Sequence, residues 1–385
     1  MIYLDHAATT PLLYEVLEEM MPYMKERYGN PSSIHKLGRE ANNALQLARK
    51  RIAKLINAKG HIIFTSGATE ANNLALKGVA YSMKKTGNHI ITSSIEHEAI
   101  LEPCKDLERS GCDVTYLPVD KYGVIDLDTL EKAINERTIL ISIMFASNEV
   151  GTLQPIKEIA EIARKHDVIF HTDAVQAVGK IPVDMQALGI DMMTLSAHKM
   201  YGPKGVGALC ISNLEIEPML HGGGQEEGIR SGTQNVAGIV GMGKAAESAS
   251  EHLDIYASQV KELRDCLINS VLNEIKYSRL NGHPAQRLPN NAHFTFLGVK
   301  GEDLIIKLDE SGIAASTGSA CYVNKQKASH VLKAMGFTHK EITGSLRLTL
   351  GIHNKTEEIE KTVHVLGIIV NELREFSPFR YKYVS

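Results

Sequence analysis

The chain has 385 residues, 43% hydrophobic and 23% charged with no tryptophan, a composition that excludes a disordered or fibrous protein. That length exceeds what one hydrophobic core usually supports, so two domains, or a large one with a smaller satellite, are expected. A net charge of −3 provides no field to gather polyanions, which argues against direct binding of nucleic acid or an acidic membrane surface.

The N-terminal stretch MIYLDHAATTPL has no basic segment followed by an apolar run, and nowhere do roughly 18 apolar residues follow one another. Cys104, Cys112, Cys210, Cys266 and Cys321 are scattered, odd in number and without a CxxC pair, which fits a reducing compartment better than a disulfide framework. A cytoplasmic protein with no membrane partner is therefore expected.

From about residue 60 to residue 211, short apolar runs alternate with longer helical patterns: HIIFT, HIITS, VTYLPV, ILISIMF, VIFHT, MMTLS and GVGALCI. This alternation predicts an α/β domain built on a doubly wound, mainly parallel sheet. One linking helix is legible in PIKEIAEIARKHD, where Ile156, Ile159, Ala160 and Ala163 recur at helical spacing, Pro155 suits the first turn and Asp167 closes it. After Gly241 comes a long amphipathic helix (Tyr256, Val260, Leu263, Leu267, Val271), then short mixed strands and a last helix with Ile359, Val363, Leu366 and Leu373. The expected division is a large α/β domain over 12–250 and a small α+β domain formed by 1–11 with 251–385. No Pro- or Ser-rich linker separates them, so a rigid interface is expected.

Chemistry gathers at three places. Thr65-Ser66-Gly67-Ala68-Thr69-Glu70 follows a strand and opens a helix, where free N–H groups and the helix dipole can hold an anion. Taken alone, it reads equally as a plain capped helix start. Its spacing is neither that of a P-loop nor that of a dinucleotide fingerprint. Thr172-Asp173-Ala174-Val175-Gln176 and Ser196-Ala197-His198-Lys199 both fall at strand ends, where open α/β sheets place ligands. Taken singly, Asp173 and Lys199 suggest no more than a salt bridge. With a phosphate site beside them, they match what pyridoxal phosphate requires: a lysine to bond it, an aspartate for its ring nitrogen and a phosphate cradle. Cys321 lies in STGSACYVNKQKAS, a small and polar stretch that predicts an exposed loop, the setting in which a free thiol can react.

The strings LDHAATTP, YGNPSSIHKLGREA, FTSGATEANNLALKG, SAHKMYGPKGVGAL, GGGQEEGIRSGT and STGSAC run in order along nearly the whole chain and closely resemble the cysteine desulfurases, in the class with a long catalytic loop. The resemblance implies a fold-type I pyridoxal-phosphate homodimer, with a large domain on a mainly parallel seven-stranded sheet and a small domain carrying the cysteine loop. It makes Lys199 the lysine that carries the cofactor, Asp173 the partner of the ring nitrogen, Gln176 the partner of the ring hydroxyl oxygen and His97 the stacking histidine and proton shuttle. Thr69, Ser196 and His198 would hold the phosphate, together with Thr233 from the neighbouring subunit, and Ala68 would also contact the cofactor. Asn148 would touch both cofactor and substrate, Arg347 would clamp the substrate carboxylate, and Cys321 would take sulfur from L-cysteine as a persulfide, leaving alanine. The persulfide would pass to an acceptor protein, such as an iron–sulfur scaffold or a component of a thiolation pathway. No resident metal is implied, although Cys321 could hold an iron–sulfur cluster transiently. A selenocysteine lyase or another fold-type I enzyme is the alternative, and a non-enzymatic cofactor-binding subunit a more remote one. The sequence departs from the family at Ala328, where a proline is common, and in the Gly-rich segment at Gln225, where a histidine often stands, while Glu226 occupies a position where a glutamate often stands.

Overall fold

A computed structural model describes residues 1–318 and 328–376, apart from the side chains of residues 252, 255 and 256. The first strand, β1 (Ile2–Tyr3), belongs to a small sheet taken up below. The seven apolar runs form the next seven strands: β2 (His61–Thr65), β3 (His89–Ser93), β4 (Asp113–Leu117), β5 (Thr138–Ser142), β6 (Ile169–Asp173), β7 (Met192–Ser196) and β8 (Gly207–Ile211). Every residue of β3, β5, β7 and β8 is buried, which explains why these runs show no polar alternation: helices cover both faces.

The sheet order is β2-β8-β7-β6-β5-β3-β4. All neighbours are parallel except β8, which runs antiparallel to both β2 and β7. The segment between β7 and β8 is shorter than the dozen or so residues that a parallel return needs, so the chain can only double back. As a result, the start of β8 lies level with the ends of its neighbours, with Gly207 opposite both Thr65 and Ser196. The turns leaving β2, β3, β5, β6 and β7 therefore share one edge of the sheet with the entry to β8.

On one side, Leu74, Leu76 and Val79 of the helix Ala68–Ser82 pack with Ile100, Cys104 and Leu107 of the helix Glu98–Arg109. On the other, the helices Lys36–Ile56 and Ile156–Lys165 contribute Leu45, Ile52, Ile56, Ile156 and Ile159 to the largest core. The predicted helix after Pro155 is present, with Ile156, Ile159, Ala160 and Ala163 buried and Asp167 in the left-handed region just beyond its end.

A second core lies under an antiparallel sheet of β9 (Ser278–Asn281), β10 (Asn291–Phe296) and β12 (Ser345–Thr349), in the order β12-β10-β9; β11 (Ile313–Ala314) pairs in parallel with β1. Phe294, Phe296, Leu346 and Leu348 meet Ile359, Val363 and Leu366 of the helix Thr356–Glu375, and Ile2 and Leu4 from the far end of the chain join them. The helix Val236–Glu274 runs for 39 residues and serves both cores, with Met242, Ala245 and Ala246 in the first and Val260, Leu267 and Val271 in the second. Among the described residues, no helix is long and apolar enough to cross a membrane.

Candidate active site

A cavity of about 620 Å³ opens at the sheet edge where these turns converge, and Arg347 of β12 and Gly318 close it from the second core. Ala68 and Thr69 reach it from the turn after β2, His97 from that after β3 and Asn148 from that after β5. Asp173 and Gln176 come from the end of β6, and Ser196, His198 and Lys199 from the end of β7. Of the residues singled out in the sequence, Thr233 is exposed and does not line this cavity. Cys321 lies outside the described residues; Gly318, three positions before it, is in the lining.

The helix Ala68–Ser82 starts without a capping side chain, so its first-turn N–H groups face the cavity uncapped by the protein. The turn ahead of it fits only because β8 begins with glycine. A Cβ on Gly207 would stand 2.6 Å from the carbonyl carbon of Gly67 and 2.9 Å from the amide nitrogen of Ala68. Glu70, in the first turn, accepts from Ser66 N–H at 2.7 Å and from Arg230 Nε at 2.6 Å, which fixes the approach to the helix.

Asp173 ends β6 with both oxygens engaged: Asn72 Nδ2 donates to Oδ2 at 2.7 Å and Val175 N–H to Oδ1 at 3.1 Å. Lys199 Nζ donates to the carbonyls of Ala7 at 2.5 Å and Ala8 at 2.7 Å. Gln176 Nε2 donates to the same Ala7 carbonyl at 3.0 Å, leaving Gln176 Oε1 buried and without a partner. A polar atom buried in this way costs free energy unless a ligand completes it. His198 Nδ1 lies 3.1 Å from Thr9 Oγ1, and burial holds its imidazole down at about 4.

His97 caps the helix Glu98–Arg109 by accepting Ala99 N–H on Nδ1 at 3.1 Å, so the neutral ring carries its proton on Nε2. Burial pulls its pKa below the ordinary value; the carboxylate of Asp173 opposes this and the charge of Lys199 adds to it. Beneath it, Glu96 is fully buried and accepts from Ser93 Oγ at 2.6 Å and Met144 N–H at 2.9 Å; burial pushes its carboxyl up to about 8. Arg347 is 2% exposed; its Nη1 donates to the carbonyl of Asn148 at 2.8 Å, its Nη2 to Asp5 Oδ1 at 2.8 Å, and its Nε is buried and unpaired. Its backbone pairs with Ser316, which leads into the segment bearing Cys321.

Several participants escaped the sequence reading. Ala7, Ala8 and Thr9 stood in a quoted string, but nothing in small residues announces that the carbonyls of the first two would hold the amine of Lys199, or that the Thr9 hydroxyl would meet His198. Asn72 is one helical turn beyond the anion site, at a spacing that puts it near Asp173 only once the sheet order is known. Gln225, which departs from the family, and its neighbour Glu226 prove structural. Glu226 is buried, pairs with Arg49 at 2.8 Å and accepts Phe64 N–H at 2.8 Å, while Gln225 accepts Gly232 N–H at 2.8 Å beside Thr233.

An amine, a carboxylate and an open helix start surround one cavity at the edge of a mainly parallel seven-stranded sheet. The family model described as aminotransferase class-V matches residues 2–362, and the chain belongs to that family. Within it, the chain stands with the cysteine desulfurases, a pyridoxal-phosphate-dependent group of enzymes. It is 51% identical over 384 residues to a protein of Dictyoglomus turgidum named cysteine desulfurase IscS, a match covering 99% of this chain and 98% of that one. Among solved structures, a NifS-like protein superposes with a TM-score of 0.90 at 41% identity, covering 96% of this chain and 99% of its own. A structure titled SspA in complex with cysteine gives a TM-score of 0.81 at 38% identity, covering 92% and 100%.

Proposed function

We propose that this cavity binds pyridoxal phosphate and L-cysteine, and that Cys321 carries the sulfur away as a persulfide. The observation that carries the reading is the placement of Lys199 and Asp173 at adjacent strand ends beside an uncapped helix start, with Gln176 Oε1 buried and unsatisfied between them. These residues fit the cofactor. Lys199 would bond it, Asp173 would face its ring nitrogen, and Gln176 Oε1 would accept from its ring hydroxyl. Ala68, Thr69, Ser196 and His198 would hold the phosphate, with Thr233 supplied by the second chain of a homodimer. When bound, the cofactor supplies an electron sink for negative charge at the substrate Cα.

The rest of the chemistry falls to the chain itself. Arg347 presents a planar fork toward the substrate carboxylate, held in place by Asp5 and the Asn148 carbonyl. The Lys199 amine takes the Cα proton. Asn72 keeps Asp173 oriented, and His97, neutral through burial, offers Nε2–H for a proton to move to and from. The Cys321 thiolate attacks the substrate sulfur: an S–S bond forms, the C–S pair remains on carbon, and protonation there yields alanine. The persulfide passes to an acceptor protein of iron–sulfur assembly or of a thiolation pathway, in the cytoplasm.

Two variants test the reading together. Lys199→Ala should abolish the visible absorption of the cofactor-loaded protein, and Cys321→Ser should retain that absorption while releasing no alanine from cysteine. Full alanine release from Cys321→Ser would refute the persulfide step.

A further inference from the structure

One buried charge lies under the cavity without a part in the reaction described above. Lys180 is 2% exposed, and its Nζ donates to the carbonyl of Gln176 at 3.0 Å. No carboxylate pairs with it among the described residues. Gln176 in turn donates from its side chain to the Ala7 carbonyl that also accepts from Lys199 Nζ, so a single glutamine links the two amines. They lie within electrostatic reach of one another, and burial together with the charge of Lys199 pushes the Lys180 amine down to about 7. A buried ammonium without a counter-ion destabilises a fold, and an apolar chain of similar length would remove that penalty. Its presence therefore points to the site rather than to stability.

We propose that Lys180 is a positioning residue of the desulfurase reaction, a cation that holds the Gln176 turn and makes the nitrogen of Lys199 release its proton more readily. The proposal rests on Lys199 being the residue that carries the cofactor. A neighbouring positive charge disfavours protonation, so as pH falls through about 7 and Lys180 becomes charged, Lys199 is kept free to receive the Cα proton. The other charged or titratable groups facing this pair, among the described residues, are His6 and Asp5 from the N-terminal segment, Glu70 after β2, His97 after β3, Asp173 from β6, His198 and Lys204 between β7 and β8, and Arg347 from β12. Of these, the carboxylates Asp173, Asp5 and Glu70 work in the opposite sense, the last two already paired with Arg347 and Arg230; Lys204 and Arg347 work in the same sense, and His6 and His198 are held neutral by burial.

The test is a pH titration of the visible absorption band of the cofactor-loaded protein, which reports protonation of the nitrogen joining Lys199 to the cofactor. In Lys180→Met and Lys180→Gln, the midpoint should rise by about one pH unit, alike in both despite their different shapes, whereas Lys180→Arg should keep it near the parent value. A midpoint unmoved in both neutral variants overturns the proposal. The cofactor-free protein gives a second readout. The Lys180 amine titrates near 7 in the folded chain against an ordinary 10.5, so the parent is least stable below about pH 7 and gains stability as pH rises toward 10.5. Lys180→Met should lose that gain. A stability difference between parent and variant that stays constant with pH would show that no buried charge was removed, and the proposal would fall. Should Lys199→Ala retain the band, the assignment of Lys199 would fail instead.

Discussion

Gly207→Ala is the sharpest probe of how the sheet builds the anion cradle. The added methyl would lie 2.6 Å from Gly67 C, 2.8 Å from Gly67 Cα and 2.9 Å from Ala68 N, all of them backbone atoms. Ordinary contact begins near 3.4 Å, so the turn must withdraw by about 0.8 Å or β8 must buckle. Buckling is resisted because Gly207 is paired on both sides, to Thr65 and to Ser196. The turn should therefore yield, taking the N–H groups of Ala68 and Thr69 away from the phosphate. Displacements approaching an ångström in a preorganised site cost on the order of a hundredfold, so cofactor affinity should fall roughly 10- to 100-fold, or about 1.4 to 2.7 kcal/mol. Overpacking of this size costs about 1 to 3 kcal/mol of stability, which lowers the unfolding temperature by only a few degrees in a chain of this length. The assay is titration of cofactor-free protein with pyridoxal phosphate, followed by absorbance, alongside a melting curve. Parent-like affinity in a folded Gly207→Ala variant would refute the argument that this glycine shapes the cradle.

Arg347→Lys keeps the charge but loses the fork that spans Asn148 and Asp5; KM for cysteine should rise at least about tenfold with cofactor absorption unchanged, as steady-state kinetics would reveal. His171, buried between Ser142 Oγ and Thr194 Oγ1, is held neutral down to about 3. The unfolded chain binds that proton near 6.5, so the stabilisation is present in full above 6.5 and is lost as pH falls through about 3. His171→Gln should flatten the acid limb of a plot of denaturant midpoint against pH, and equal slopes in parent and variant would count against this account.

The seven strands were legible because each is short, apolar and bounded by polar helical stretches, the pattern imposed by burial on both faces. The reversal at β8 was not legible, since periodicity carries no direction; only the shortness of the link after Lys199 hinted at it. The long helix was read from Tyr256 to Val271; it begins earlier, at Val236, with Met242 and Ala246 in the first core, because a helix long enough to reach both cores shows no break between them. Lys199, Asp173, His97 and Arg347 could be named from ordered strings of residues. Asn72, Ala7 and Lys180 could not, since what they do depends on which parts of the chain are folded against them, and nothing about an asparagine, an alanine or a lone lysine signals this locally.

The bond between Asp5 and Arg347 joins residues 342 positions apart. A ribosome must deliver nearly the whole polypeptide before that contact can close, so the large sheet has time to assemble while this side of the cavity is still open. Until then, the opening segment whose carbonyls accept the amine of Lys199 can pair with β11 but not with β12. Cofactor capture during synthesis is thereby deferred, and a nascent chain should acquire its absorption band only after β12 has emerged.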